Sequence, residues 1–241
     1  MAMQNKILSE EEALLLSSLA EDRSSIYMLL STFYMKRPEV EFVKKLKNSE
    51  FIQNIKSALS QDETTSGIGE GLKILEAFIN SMKGIPEAEV SENLAVDFTR
   101  LFRGIKKGYG PPPPYESVWR GEGRVMGQWT EKVLKEYADS GIGMDLSDEL
   151  PDYIGIELKF MALLCYKEAQ AWRDNERTMA LRFLELEKRF LNEHLKNWVP
   201  EFCNIMEEEA RTSFYKAVAV LTKGFLEIER AQIEDFPHAH G

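Results

Sequence analysis

The chain has 241 residues, of which 44% are hydrophobic and 29% charged, the composition of an ordinary globular protein with a sizeable core. Its formal net charge of −10 argues against non-specific nucleic-acid binding, which needs clustered lysine and arginine. No secretory signal and no apolar run of membrane-spanning length are visible, so we expect a cytoplasmic protein without direct membrane insertion. Two distant cysteines, Cys165 and Cys203, predict buried thiols.

Helical patterns run through the chain from its first capping signal. Ser9 and Glu12 have the spacing of a capping box, which predicts a helix start. The strongest periodic signal has apolar residues spaced four, three and four apart: Ile154, Leu158, Met161 and Cys165. No alternating strand and no fixed-period repeat is visible. We therefore predict an all-α, single-domain bundle of about nine to eleven helices over residues 1–241, with a frayed tail at 235–241.

A glycine-rich stretch at 67–71 precedes a helical pattern, and we expect it to be part of a surface loop from Asp62 to Gly71. Glycines before a helix can cradle a phosphate group. No strand precedes these glycines, however, and the chain contains no P-loop pattern. A nucleotide-binding or small-molecule enzyme that uses this loop is therefore an alternative rather than our main hypothesis.

The central stretch contains four consecutive prolines, Pro111 to Pro114. Proline fixes φ and removes the amide donor, so this run favours an extended polyproline II conformation. Stiff loops inside helical chains are usually functional or act as linkers. We predict a functional loop at 104–124, and the alternative is a plain connector in a structural helical adaptor.

Motifs for catalysis are missing from the sequence. Only three histidines are present, and no Glu-x-x-His pair, His-Glu-x-x-His zinc signature or Gly-x-Ser-x-Gly elbow occurs. We therefore expect no catalytic residues, no metal site and no cofactor.

Aromatic residues and acids are concentrated in two neighbouring regions. Aromatic side chains flank the prolines, and acidic side chains are frequent over 145–157. Together they would suit a peptide that carries basic residues before an apolar stretch. The other interpretation is that the aromatics belong to the core and the acids are solvated, and these residues alone leave both open.

Three segments occur in a characteristic order: Leu101-Phe102-Arg103-Gly104, then Pro114-Tyr115-Glu116-Ser117-Val118-Trp119, then Pro151-Asp152-Tyr153 through Glu157-Leu158-Lys159-Phe160-Met161. This combination resembles the TorD/DmsD/NarJ family of cytoplasmic redox-enzyme maturation chaperones. The resemblance implies an all-α chaperone that binds the twin-arginine signal peptide of a molybdopterin-dependent oxidoreductase subunit. It also implies that the apo form of this subunit is held for cofactor insertion and assembly before export.

The resemblance also implies which residues bind the peptide. They are Leu101, Phe102, Pro114, Tyr115, Glu116, Ser117, Trp119, Pro151, Asp152, Tyr153 and Glu157. We expect the aromatics to pack against the apolar stretch of the leader, and Asp152 and Glu157 either to meet its arginines or to order the loop. The chain has Tyr153 where some relatives have histidine, and its proline run is longer than in shorter members. The resemblance is compatible with a monomer or a swapped dimer.

Overall fold

The computed structural model describes residues 9–59, 66–104 and 108–235. These residues form ten α-helices: α1 (Glu10–Met35), α2 (Val40–Lys47), α3 (Ser49–Leu59), α4 (Ser66–Ser81), α5 (Glu87–Phe102), α6 (Gln128–Ser140), α7 (Ile154–Arg173), α8 (Arg177–Glu193), α9 (Val199–Glu209) and α10 (Ser213–Asp235). A π-helical turn at Val118–Glu122 and a 3-10 turn at Leu195–Asn197 complete the described structure.

The all-α prediction is confirmed, because the described ranges contain no strand and their ten helices fall within the predicted number. Of the predicted frayed tail, residues 236–241 lie outside the described part of the chain. None of the helices described is both long and apolar enough to cross a bilayer.

Helix α1 begins as its sequence predicts. The Ser9 hydroxyl accepts a hydrogen bond from the Glu12 amide at 3.1 Å, and the Glu12 carboxylate accepts one from the Ser9 amide at 2.9 Å. This capping box satisfies two amides that the first helical turn leaves without partners.

Serines at heptad spacing join α1 to α7. The hydroxyls of Ser17, Ser24 and Ser31 donate to backbone carbonyls of α7 at 3.0, 2.8 and 2.7 Å. Each successive acceptor lies seven residues earlier in α7: Ala169, then Ala162, then Gly155. The two helices are therefore antiparallel and close together, because a serine side chain is short enough to reach the neighbouring backbone.

Arg23 connects α1 to three other helices. Its guanidinium donates to Glu168 of α7 at 2.9 Å, to Glu229 of α10 at 3.0 Å and to Glu187 of α8. All three carboxylates are buried, and burial is the main cause that raises the pKa of Glu168 and Glu187. The arginine therefore holds three buried acids inside the bundle, and its removal would leave them uncompensated.

The glycine-rich stretch at 67–71 is helical, so the prediction of a surface loop over these residues is wrong. Gly67, Gly69 and Gly71 all lie in α4, and α4 packs against α10. A Cβ added at Gly67 would lie 3.2 Å from Gly224 Cα, and one added at Gly71 would lie 2.7 Å from Leu221 Cγ. These two glycines are therefore contact points between helices, and residues 60–65 of the predicted loop lie outside the described structure.

Alanine substitutions at Gly71 and Gly69 test this packing, because we expect them to change stability in opposite directions. We expect Gly71→Ala to lower the free energy of unfolding by about 1–3 kcal/mol, because its methyl group overlaps Leu221. Gly69→Ala is the matched control. A Cβ there meets nothing within 4 Å, so we expect a gain of about 1 kcal/mol from helix propensity. Chemical denaturation measures both, and equal effects of the two variants would contradict the packing role.

Candidate functional site

The proline-rich segment pairs with the residues that lead into α7. The Glu116 amide donates to the Asp152 carbonyl at 2.9 Å, and the Ile154 amide donates to the Pro114 carbonyl at 3.0 Å. Tyr115 and Tyr153 thereby form an isolated antiparallel bridge. Because prolines have acceptors but no amide donors, pairing becomes reciprocal only where the proline run ends.

Side chains strengthen this bridge on both segments. The Asp152 carboxylate accepts a hydrogen bond from the Ser117 amide at 3.1 Å, and the Trp119 indole donates to the Pro113 carbonyl at 3.2 Å. The Tyr137 hydroxyl on α6 donates to the Pro151 carbonyl at 2.8 Å. The segments 113–119 and 151–154, which we call the bridged segments, are therefore fixed to each other and to α6.

Most of the residues predicted to bind peptide are buried. Tyr115 and Trp119 are half-buried, and the other nine are buried: Leu101, Phe102, Pro114, Glu116, Ser117, Pro151, Asp152, Tyr153 and Glu157. The ring of Phe102 packs at 5.4 Å from Tyr34 and 5.1 Å from Phe98, in the centre of the core. The structure thus brings the second and third predicted segments together and buries Leu101 and Phe102 of the first in the core.

Three acids of the bridged segments and α7 are removed from solvent: Glu116, Asp152 and Glu157. Burial is the main cause that raises the pKa of Glu116 and of Glu157, and repulsion from the neighbouring acids adds to it. Asp152 Oδ1 and Glu157 Oε1 have no hydrogen-bond partner among the described residues, although Trp198 donates to Glu157 Oε2 at 3.2 Å. The site therefore holds acids that are under-satisfied in their present surroundings.

His194 and Arg120 complete the setting of Glu116. His194 Nδ1 lies 2.7 Å from Glu116 Oε2, and an Arg120 amino group donates to Glu116 Oε1 at 3.1 Å. The sequence did not predict His194 as a site residue, because it lies 78 residues from Glu116 in the chain and belongs to no local motif. The spacing of residues in the chain carries no signal for such a contact.

The half-buried Tyr115 is held at the edge of the site by an ion pair. Its hydroxyl donates to Glu149 Oε1 at 2.6 Å, and Arg103 donates to Glu149 Oε2 at 2.5 Å. Burial is the main cause that raises the pKa of Tyr115, and the bond to Glu149 adds to it. The tyrosine therefore remains a neutral donor, and its ring keeps a fixed orientation.

Among the described residues, one group could in principle offer ligands to a metal ion: Glu136, Glu193 and His194. Arg189 already donates to Glu136 Oε2 through two nitrogen atoms, at 2.9 and 2.6 Å. Arg189 thus occupies the carboxylate oxygen that a metal ion would need, so these three residues do not offer a metal ion a free set of ligands.

Comparison with known proteins identifies related chains. Residues 61–204 match the family model described as nitrate reductase delta subunit. Chaperone protein TorD from Vibrio cholerae is 24% identical over 221 residues, which cover 91% of this chain and 96% of the relative. Chaperone protein TorD from Photobacterium profundum is 27% identical over 216 residues, which cover 88% and 94%. A solved structure described as a redox enzyme maturation protein from Archaeoglobus fulgidus covers 88% of this chain and 94% of its own, with 20% identity and a TM-score of 0.46.

The substitution Glu157→Gln tests whether burial of this carboxylate lowers the stability of the fold. A carboxyl whose pKa is raised on folding binds more protons in the folded state, so its contribution to stability falls as pH rises above the unfolded value of about 4.5. We expect Glu157→Gln to raise the melting temperature at neutral pH. The gain should grow by at most about 1.4 kcal/mol per pH unit above that value and vanish below it.

Thermal unfolding from pH 4 to pH 8 measures this difference. Glu131→Gln, at an exposed acid on α6, is the matched control and should give the same pH profile as the unmodified chain. A Glu157→Gln variant that is destabilised equally at every pH would contradict the assignment.

Proposed function

The chain belongs to the nitrate reductase delta subunit family, and on that premise we propose that it binds a twin-arginine signal peptide. Its relatives are named chaperones, so the chain is a redox-enzyme maturation chaperone of the TorD/DmsD/NarJ family and not an enzyme. The proposed client is a subunit of a molybdopterin-dependent oxidoreductase. The chaperone holds it in the cytoplasm until its cofactor is inserted and its assembly permits export.

One observation carries the proposal: the bridged segments hold two aromatic rings at the edge of the core with part of each exposed. Tyr115 is fixed through Glu149, and Trp119 is fixed through Pro113 and packs at 5.5 Å from Phe202. Rings held in this way offer apolar contact area without losing further rotamer freedom on binding. We assign to them the contact with the apolar stretch of the leader.

Apart from Glu116, the buried residues of this set then support the aromatic pair rather than touch the peptide. Asp152 accepts the Ser117 amide and so fixes the turn that presents Trp119. Its complete burial, and that of Glu157, favours ordering the loop over direct contact with arginines of the leader. The net charge of −10 supplies long-range attraction for a basic peptide.

The alternative of a nucleotide-binding or small-molecule enzyme loses its basis. Its proposed loop is part of α4, where Gly67 and Gly71 face α10. The family to which the chain belongs consists of chaperones. The alternative of a structural adaptor is an outcome of the binding experiment below.

Calorimetry of the full chain with a synthetic twin-arginine leader tests the proposed function. We expect saturable binding that weakens when both arginines of the leader are replaced by alanine. Trp119→Ala should raise the Kd by about 30-fold, the effect of losing an aromatic binding hot spot. Tyr166→Ala is the control, because Tyr166 is an exposed aromatic residue on α7.

Two further measurements separate binding from folding. The melting temperature of each variant is recorded, and Trp119→Phe, which keeps a ring against Phe202, should retain most of the affinity. If no leader binds the unmodified chain, the proposed function is wrong. If leaders bind equally well to folded Trp119→Ala and to a chain without Pro111–Pro113, the central loop is only a connector.

A further inference from the structure

Arg120 occupies a setting that contains each element of guanidinium recognition. One amino group donates to Glu116 Oε1 at 3.1 Å and to the Glu193 carbonyl at 3.0 Å. The central carbon of the guanidinium lies 3.7 Å from the centre of the Trp129 ring. A carboxylate, a backbone carbonyl and an indole face together favour a planar guanidinium over an ammonium group.

The groups that receive Arg120 are held in place by contacts of their own. Glu116 is fully buried, and His194 and the backbone bond to Asp152 fix it from other sides. Trp129 belongs to the first turn of α6, and its amide donates to Glu122 at 3.3 Å. Glu116 is therefore held by contacts other than Arg120, whereas Trp129 is also bonded to Glu122 of the turn that carries Arg120.

The backbone around Arg120 has an irregular conformation. Arg120 lies in the π-helical turn with non-helical φ and ψ of −88° and 21°, and Gly121 follows with φ of +90°. Gly123 and Met126 also have positive φ, and Met126 is 71% exposed. Glycine has access to many backbone conformations, so this turn can move Arg120 while Glu116 remains bonded to the bridged segments.

A cavity with a volume of about 460 Å³ adjoins the same groups. Arg120, Trp129, Glu193 and His194 contribute to its lining, and the Arg120 side chain is 20% exposed. Lys132 also contacts the Trp129 ring, at 3.7 Å from its centre. Lys132 and Lys135 also line the cavity, and Glu116 does not. A side chain that enters from solvent therefore meets the Trp129 ring and Glu193 first, and it reaches the buried Glu116 only as Arg120 leaves.

We propose that Glu116, the Glu193 carbonyl and Trp129 form a binding site for an arginine side chain of the partner, and that Arg120 is the internal occupant this arginine displaces. This inference rests on the proposed function and deepens it. Exchange of one guanidinium for another keeps the charge of the site constant, so the buried Glu116 is never left without a cation. Because the guest must replace a group that donates to Glu116 and stacks on Trp129 at once, the site favours the planar guanidinium of arginine over lysine.

Arginine side-chain NMR of the full chain tests the exchange directly. The probes are arginine and lysine blocked at both termini, added at matched ionic strength. We expect blocked arginine to move the Arg120 Nε signal toward the position of a solvated arginine, and blocked lysine to leave it in place. Arg120→Gln identifies the signal, and Arg124, exposed in the same turn region, is the internal control. An Arg120 signal that does not respond to blocked arginine overturns the inference.

Substitution of the internal occupant gives a second test. We expect Arg120→Gln to bind blocked arginine and the twin-arginine leader about tenfold more tightly, because it lacks the tethered competitor. Arg124→Gln should leave both affinities unchanged. Unchanged or weaker binding by a folded Arg120→Gln chain would make Arg120 a structural residue and would contradict the proposal. If that variant does not fold, the NMR titration of the unmodified chain decides.

The two proposals fail in distinguishable ways. Displacement of Arg120 by blocked arginine without binding of any leader would keep the arginine site and reject the proposed function. Binding of a leader without a change in the Arg120 signal would keep the proposed function and reject the arginine site.

Discussion

The backbone pairing between residues 114–116 and 152–154 is the constraint on which the site depends. A run of prolines cannot join a helix or a sheet, because it has no amide to donate. Where the run ends, the backbone pairs with the segment before α7: the Glu116 amide donates to Asp152, and the Pro114 carbonyl accepts from Ile154. This pairing fixes the backbone of Glu116, and residues 113–119 carry Trp119 next to it.

The helical fold could be predicted from sequence because its signals are local. The Ser9 capping box, the apolar spacing of α7 and the break at the prolines each act within a few residues. The glycines at 67–71 show where local reasoning fails. Glycine favours a loop by its intrinsic propensity, but contacts with Gly224 and Leu221 of α10 make a helix of small residues the better solution there.

The residues of the site were partly predictable, and their environment was not. Motif order identified Tyr115, Trp119 and Asp152, and the structure brings their segments together. Acids in a chain with a net charge of −10 are usually solvated, yet Glu116, Asp152 and Glu157 are buried. The cause is long-range, because His194 and Trp198 flank the turn between α8 and α9, and no spacing rule relates them to the motifs.

Arg23 and Arg120 both bind buried acids, and the different backbone around each gives them different roles. Arg23 lies within a 26-residue helix that is joined along its length to α7, so its release would require movement of the helix. Arg120 lies on a turn with Gly121 and Gly123 at positive φ, next to a cavity that Trp129 lines. Both arginines bind carboxylates, and they differ in the backbone that carries them. Arg23, on a helix, therefore stabilises the fold, whereas Arg120, on this turn, is the arginine that we propose a partner displaces.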